Sequence, residues 1–224
     1  LKNSSKLDHF NKLNLGGKHS NKAKVKSLLD ICERELTLMF AHFARCGFVA
    51  VIIMKSALKN KKISKKNYNN FFNSINTISK DFQRDISFYK NNKISKKKVL
   101  KKYGHLRPGT YDITSQRYDE NSDLLFKGFY EKTKIKNLEI KKNSVFNKNF
   151  LKELSKIGFK GGKKQIIDFF YGSIEKRESS KFLFTKFLSD LLKLFSKELN
   201  KKNFSNKEIY NLDLKNILDL FNGK

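Results

Sequence analysis

Between residues 22 and 59 apolar side chains recur every three or four positions, at Val25, Leu28, Cys32, Leu36, Met39, Phe43 and onward through Val51 and Ile52. That spacing gathers them on one side of a helix, so the stretch predicts one long, largely buried helix. Two later segments, "ISKKNYNNFF" and "ISKKKVLKKY", share a start signal. Each has an isoleucine just outside (Ile63, Ile94), a serine N-cap (Ser64, Ser95), and an apolar residue (Tyr68, Val99) placed to close a hydrophobic staple. Helical order resumes in "NFLKELSKIGF", with Gly158 as its stop. After Gly161 and Gly162 a second long helix is expected over residues 163 to 199. The last segment, "FSNKEIYNLDLKNILDLF", opens with a capping box of Ser205 and Glu208, stapled by Phe204 and Ile209.

Residues 104 to 146 break this order. Their Gly, Pro, Thr and Asp content predicts an ordered loop region, with a short strand pair around "LLFKGFY" and "KNLEI". The expected fold is mainly α: a single helical domain over 1 to 224 with two long helices and this irregular region.

The chain holds 49 Lys plus Arg against 21 Asp plus Glu, a formal net charge of +28. Such an excess raises nucleic acid or an anionic membrane as a partner. The charge is mostly lysine in short blocks interleaved with Asn, however, as on solvated faces. No Arg-rich arm, zinc-finger spacing or Gly-aromatic RNA-binding motif accompanies it. Cys32 and Cys46 lie fourteen residues apart on the first predicted helix, about 21 Å along its axis. A disulfide between them is excluded. Free thiols and the lack of a secretory leader point to the cytoplasm. The start at Leu1 suggests a segment of a longer polypeptide. The most apolar run, "CGFVAVIIM", falls short of the roughly 20 residues of a membrane span, so it reads as core.

The one compositionally distinct stretch is "KKYGHLRPGTYDITSQRYDEN", residues 101 to 121. Arg107-Pro108-Gly109-Thr110 fits a type II turn, with Pro fixing φ and Gly accepting positive φ. Extended geometry before the proline would set His105 and Arg107 on one side. Two readings follow. In the first, Arg107 and Arg117 grip an anion, His105 donates a hydrogen bond or relays a proton, and Thr110, Tyr111 and Asp112 orient a zwitterionic or phosphorylated ligand. In the second, the arginines and aspartates satisfy one another and His105 is buried and neutral. On the long helices, Arg34, Glu35, Arg45, Arg177, Glu178 and Lys181 are the polar residues expected to face inward or toward a ligand. No His/Cys/Asp/Glu spacing predicts a metal site, and no Walker-type or GxGxxG loop is present.

"YGHLRPGTYD" followed by "RYDE", "EKRESSKFLFTKFLSD" and "FSNKEIYNLDLKNIL" together resemble, in order, three motifs of the phosphoenolpyruvate synthase and pyruvate phosphate dikinase-like phosphotransferases. The resemblance covers residues 25 to 120 and 163 to 218. It implies the central, acceptor-binding helical segment of a larger enzyme that also has ATP-grasp and phosphohistidine domains, neither of which is visible here. It implies ATP and Mg2+ bound mainly outside this segment, and a small zwitterionic or phosphorylated acceptor such as L-glutamine. Arg107 and Arg117 would hold a carboxylate or phosphoryl group. His105 would assist at the phosphoryl group, Thr110, Tyr111 and Asp112 would orient the acceptor, and Arg177, Glu178 and Lys181 would be secondary contacts. Leu106 departs from the arginine common in the synthases, which argues against pyruvate specificity. The competing expectation is a basic helical nucleic-acid-binding domain without enzymatic activity.

Overall fold

The computed structural model describes residues 20–127 and 144–222. Nine continuous helices occur among the described residues: α1 Asn21–Lys59, α2 Lys65–Ser74, α3 Ile78–Lys90, α4 Lys96–Tyr103, α5 Ser122–Lys127, α6 Lys148–Lys156, α7 Lys163–Lys201, α8 Asn206–Asn211 and α9 Leu214–Asn222. No strand occurs among the described residues, so the mainly α expectation holds. The expected strand pair does not: Leu124, Leu125 and Phe126 lie in α5, where Leu125 is fully buried. The rest of that expected pair lies outside the described residues.

Local chemistry starts the helices where the sequence indicates. The hydroxyls of Ser64 and Ser95 accept from the backbone N–H of Asn67 and Lys98, and Ser205 and Glu208 close a reciprocal capping box. Gly158, at φ +92°, ends α6 in a conformation that a side chain would strain. Helix α1 contains one π turn, Ile31–Leu36. At its end the Thr37 backbone N–H reaches the Cys32 carbonyl, and the Thr37 hydroxyl donates to the same oxygen at 2.7 Å.

The described residues divide into two compact units: 20–38, 82–127 and 182–222 form one, and 39–81 and 144–181 the other. Helices α1, α3 and α7 contribute residues to both. The second unit is held by an aromatic core. Phe71 contacts Phe146, Phe170 and Tyr171 edge-on, over the fully buried Ala50 and Met54 of α1. Edge-to-face pairs of this kind add about 1 kcal/mol beyond the area they bury. Gly47 allows close helix packing here, since a Cβ would lie 3.3 Å from the Ser173 carbonyl oxygen. Helix α1 as a whole is long and apolar enough to cross a membrane by length and composition, which its most apolar run alone is not. Phe48, Val49 and Ile52 lie on its exposed side.

In the first unit the buried side chains of α7 follow one stripe, Leu183, Phe187, Leu191, Phe195 and Leu199. Tyr103 at the end of α4 is fully buried. It packs edge-on against Phe82 and Phe182 and donates to Asp85 at 2.8 Å. This contact satisfies the one polar atom of the largest side chain brought into that core.

Candidate functional site

The chain leaves α4 through Gly104 and returns at Asp119. The Asp119 N–H donates to the Gly104 carbonyl and the Tyr118 N–H to the Leu106 carbonyl, each at 2.9 Å, so residues 104 to 119 form a loop tied at its base. Gly104 is required there. A Cβ would run into the Leu100 carbonyl oxygen and lie 2.8 Å from the Asp119 Cβ.

Arg107 organises the loop from within. It is 6% exposed, and its Nη1 donates to the carbonyls of Asp112 and Ser115 at 3.1 and 3.0 Å. Its Nη2 donates to the Ser189 carbonyl and hydroxyl of α7 at 3.2 and 3.1 Å. This clamp overturns the expected type II turn. Gly109 does not take positive φ, and the turns fall later, where Asp112 N–H meets the Gly109 carbonyl and Ser115 N–H meets the Asp112 carbonyl. Gathering the Asp112 and Ser115 carbonyls around one guanidinium is worth more than the local preference of Pro-Gly.

The two arginines differ in how their charge is met. Arg117 is bidentate to Asp119, at 3.0 and 2.8 Å, and pairs with Asp190 at 2.6 Å. Both ends of its fork are filled, and although burial alone would lower its pKa, those carboxylates carry it above the ordinary arginine value. Arg107 touches only neutral acceptors, and its Nε has no hydrogen-bond partner. Burial lowers its pKa, assisted by the nearby Arg117 charge.

His105 lies against Phe182 with ring centroids 4.7 Å apart, and its Nε2 is buried without a partner. Burial, with Arg117 and Lys186 nearby, pushes its pKa down to about 3. It is a neutral imidazole in the fold, as the second sequence reading describes. Asp112 turns its Oδ1 inward to the Thr114 N–H and hydroxyl, at 2.8 and 2.7 Å. Those hydrogen bonds hold its pKa below the ordinary carboxylate value. Tyr111 is 67% exposed at the loop tip, and Thr110 beside it is half-buried.

Of the remaining predicted residues, Arg45, Arg177, Glu178 and Lys181 belong to the second unit and Arg34 and Glu35 to the first. Arg177 pairs with its neighbour Glu178 at 2.7 Å and lies over the Phe48 ring. Lys181 is exposed. Of the three polar residues named on α1, Arg34 and Arg45 are exposed and Glu35 is half-buried.

Beside the tied loop, in the first unit, opens a cavity of about 660 Å³. Its walls include Arg107, Gln116 and Glu120 from the loop and Lys193, Lys197 and Lys201 from α7. Glu120 meets Lys193 at 3.0 Å, and Lys201 meets Glu198 at 2.9 Å. Burial raises the Glu120 pKa, but the Arg117 backbone N–H and Lys193 outweigh it, leaving it below the ordinary carboxylate value. The α7 lysines are residues the sequence reading missed. Their four-residue spacing marks one helix face, but nothing local reveals the loop opposite. Among the described residues no group of three or more His, Cys, Asp or Glu side chains could hold a metal ion.

No protein-family model matches this chain, and comparison with curated proteins and with solved structures found no match.

Proposed function

We propose that this chain is the acceptor-binding part of an ATP-dependent phosphotransferase that works through a phosphohistidine on another domain. The proposed acceptor is the side-chain amide of L-glutamine, as in the L-glutamine kinase of capsular phosphoramidate biosynthesis. The observation that carries this reading is the cavity beside the tied loop, lined by Arg107 but not by Thr110, Tyr111 or Asp112, with four cationic side chains and one carboxylate in its lining. A zwitterion with a polar side chain fits such walls: lysine ammonium groups take its carboxylate, and Glu120 takes its ammonium or an amide proton. The amide nitrogen would attack phosphorus as the P–N bond to the carrier histidine breaks, and one amide proton must leave. ATP supplies the phosphoryl group and, with one water consumed to release the other phosphoryl group as phosphate, ends as AMP. In this role Arg107 both lines the cavity and positions the loop, and His105 supports it by packing.

The test follows ATP and L-glutamine by phosphorus NMR in the polypeptide that joins this chain to ATP-grasp and phosphohistidine domains. A phosphoramidate resonance appearing with AMP supports the reading. Phosphohistidine without that product keeps a phosphotransferase and rejects glutamine, and no ATP turnover with any acceptor rejects both.

The +28 charge favours a second reading, a nucleic-acid-binding helical domain. Backbone binding of that kind weakens steeply and log-linearly with salt, so a salt titration against duplex and single-stranded probes separates it from a small-ligand site.

A further inference from the structure

A concave wall with a surplus of one charge sign selects its ligand by charge before shape. In the cavity beside the loop, Lys193, Lys197 and Lys201 descend one face of α7 at four-residue intervals, while Arg107 is part of the lining contributed by the loop. Against these four cations the lining offers one carboxylate, Glu120. Its contact with Lys193 occupies one ammonium, and Glu198, outside the lining, occupies that of Lys201. Lys197 makes no ion pair among the described residues, and it is exposed.

Arg107 strengthens the asymmetry. It is more than nine-tenths buried, no carboxylate touches it, and its Nε is unpartnered. Glu120, Asp112 and Asp119 lie near enough to act on it through space, but none is hydrogen-bonded to it, so its charge is only partly offset where it adjoins the cavity. Arg117 shows the contrast: two carboxylates cancel its charge in place.

We infer that the face of α7 bearing Lys193, Lys197 and Lys201, together with Arg107, is a phosphate-binding subsite for a small phosphate-bearing molecule. Lys197 is its principal contact, with Lys193 and Lys201 able to leave their carboxylates for a more highly charged anion. The cleft, about 660 Å³ and open to solvent, has room beside a phosphate for a further polar body, which Gln116 and Asn200 in the same lining would meet. The inference deepens the phosphotransferase reading and rests on its cavity, but not on catalysis.

The test is calorimetric titration of the chain with pyrophosphate, AMP and inorganic phosphate at millimolar concentration and near-physiological salt. It compares wild type with Lys197→Glu, Lys197→Gln and the control Lys66→Glu. Lys66 is an exposed lysine on α2. Circular dichroism establishes that each variant is folded. Saturable one-to-one binding of pyrophosphate or AMP is expected, weakened about tenfold or more by Lys197→Glu, less by Lys197→Gln, and unchanged by Lys66→Glu. AMP binding tighter than pyrophosphate identifies a nucleoside body; pyrophosphate binding tighter identifies the phosphoryl groups alone as the recognised part. Equal weakening by Lys197→Glu and Lys66→Glu, no effect of Lys197→Glu, or no saturable binding of any probe overturns the inference. Because no turnover is measured, phosphate binding without phosphotransfer would leave this subsite standing and reject the kinase, and the reverse result would do the opposite.

Discussion

Ser189 and Arg107 meet deep in the first unit: the serine hydroxyl accepts from Arg107 Nη2 at 3.1 Å while donating to the His105 carbonyl at 2.5 Å. One small side chain on α7 thus joins the two residues that the sequence of the loop makes conspicuous. Ser189 is 2% exposed, so no water replaces it easily. Ser189→Ala would strand a carbonyl and part of a guanidinium, at a cost of about 1–3 kcal/mol. Urea unfolding measures this, and a change under about 0.5 kcal/mol would show that the clamp is not held through the hydroxyl.

Acidification should weaken the fold through His105. Its pKa falls from an ordinary 6.5 to about 3 in the fold, so the unfolded chain takes up the proton first. The contribution is complete above pH 6.5 and is lost as pH falls from there toward 3. The expected slope from this group within the window is about 1.4 kcal/mol per pH unit. Glu120 and the aspartates with lowered pKa join only below their ordinary values of 4.5 and 3.8. His105→Phe, which keeps a ring against Phe182, should therefore flatten the dependence of stability on pH between 6.5 and 4.5. An unchanged slope there would mean that His105 is not the group responsible.

Gly104→Ala should cost about 2 kcal/mol, the scale of an overpacked site. The added methyl meets two fixed things at once, the Leu100 carbonyl oxygen and the Asp119 Cβ. A thermal melt tests it, and an unchanged midpoint would show that the base of the loop can spread.

The two thiols should differ sharply toward an alkylating reagent. Cys32 is buried in α1, and burial, with Asp190 nearby, pushes its pKa up to about 12. Cys46 is partly exposed. Mass spectrometry of the folded chain after iodoacetamide should find Cys46 modified, and Cys32 only once denaturant is added. Equal labelling would place Cys32 within reach of solvent.

Much of the helical order was legible because its determinants are local. Ser64, Ser95 and Ser205 act on backbone donors three residues away, and the apolar spacing of α1 and α7 needs no partner to be read. Helix α3 was overlooked although Thr77 caps it and Phe82, Ile86 and Tyr89 keep helical spacing; its Ile78-Ser79 pair falls inside the helix, with Thr77 and not the serine as the cap. The π turn could not be read, because it depends on how Thr37 uses the Cys32 carbonyl. In the loop the residue types were conspicuous but their assignments were not. Whether an arginine faces a ligand or a carboxylate depends on Ser189 and Asp190, more than seventy positions later, and so does the place of the turn.

The tied base of the loop divides it into parts with different freedom to vary. Gly104, Arg107 and Arg117 each answer to several fixed neighbours, whereas Tyr111 is largely exposed and Pro108 is also exposed. A saturation scan should therefore find the tip around residues 110 and 111 permissive and the base intolerant. A loop of this construction can exchange its outer residues while the scaffold beneath, and the cavity that Arg107 and Gln116 line, are left unaltered.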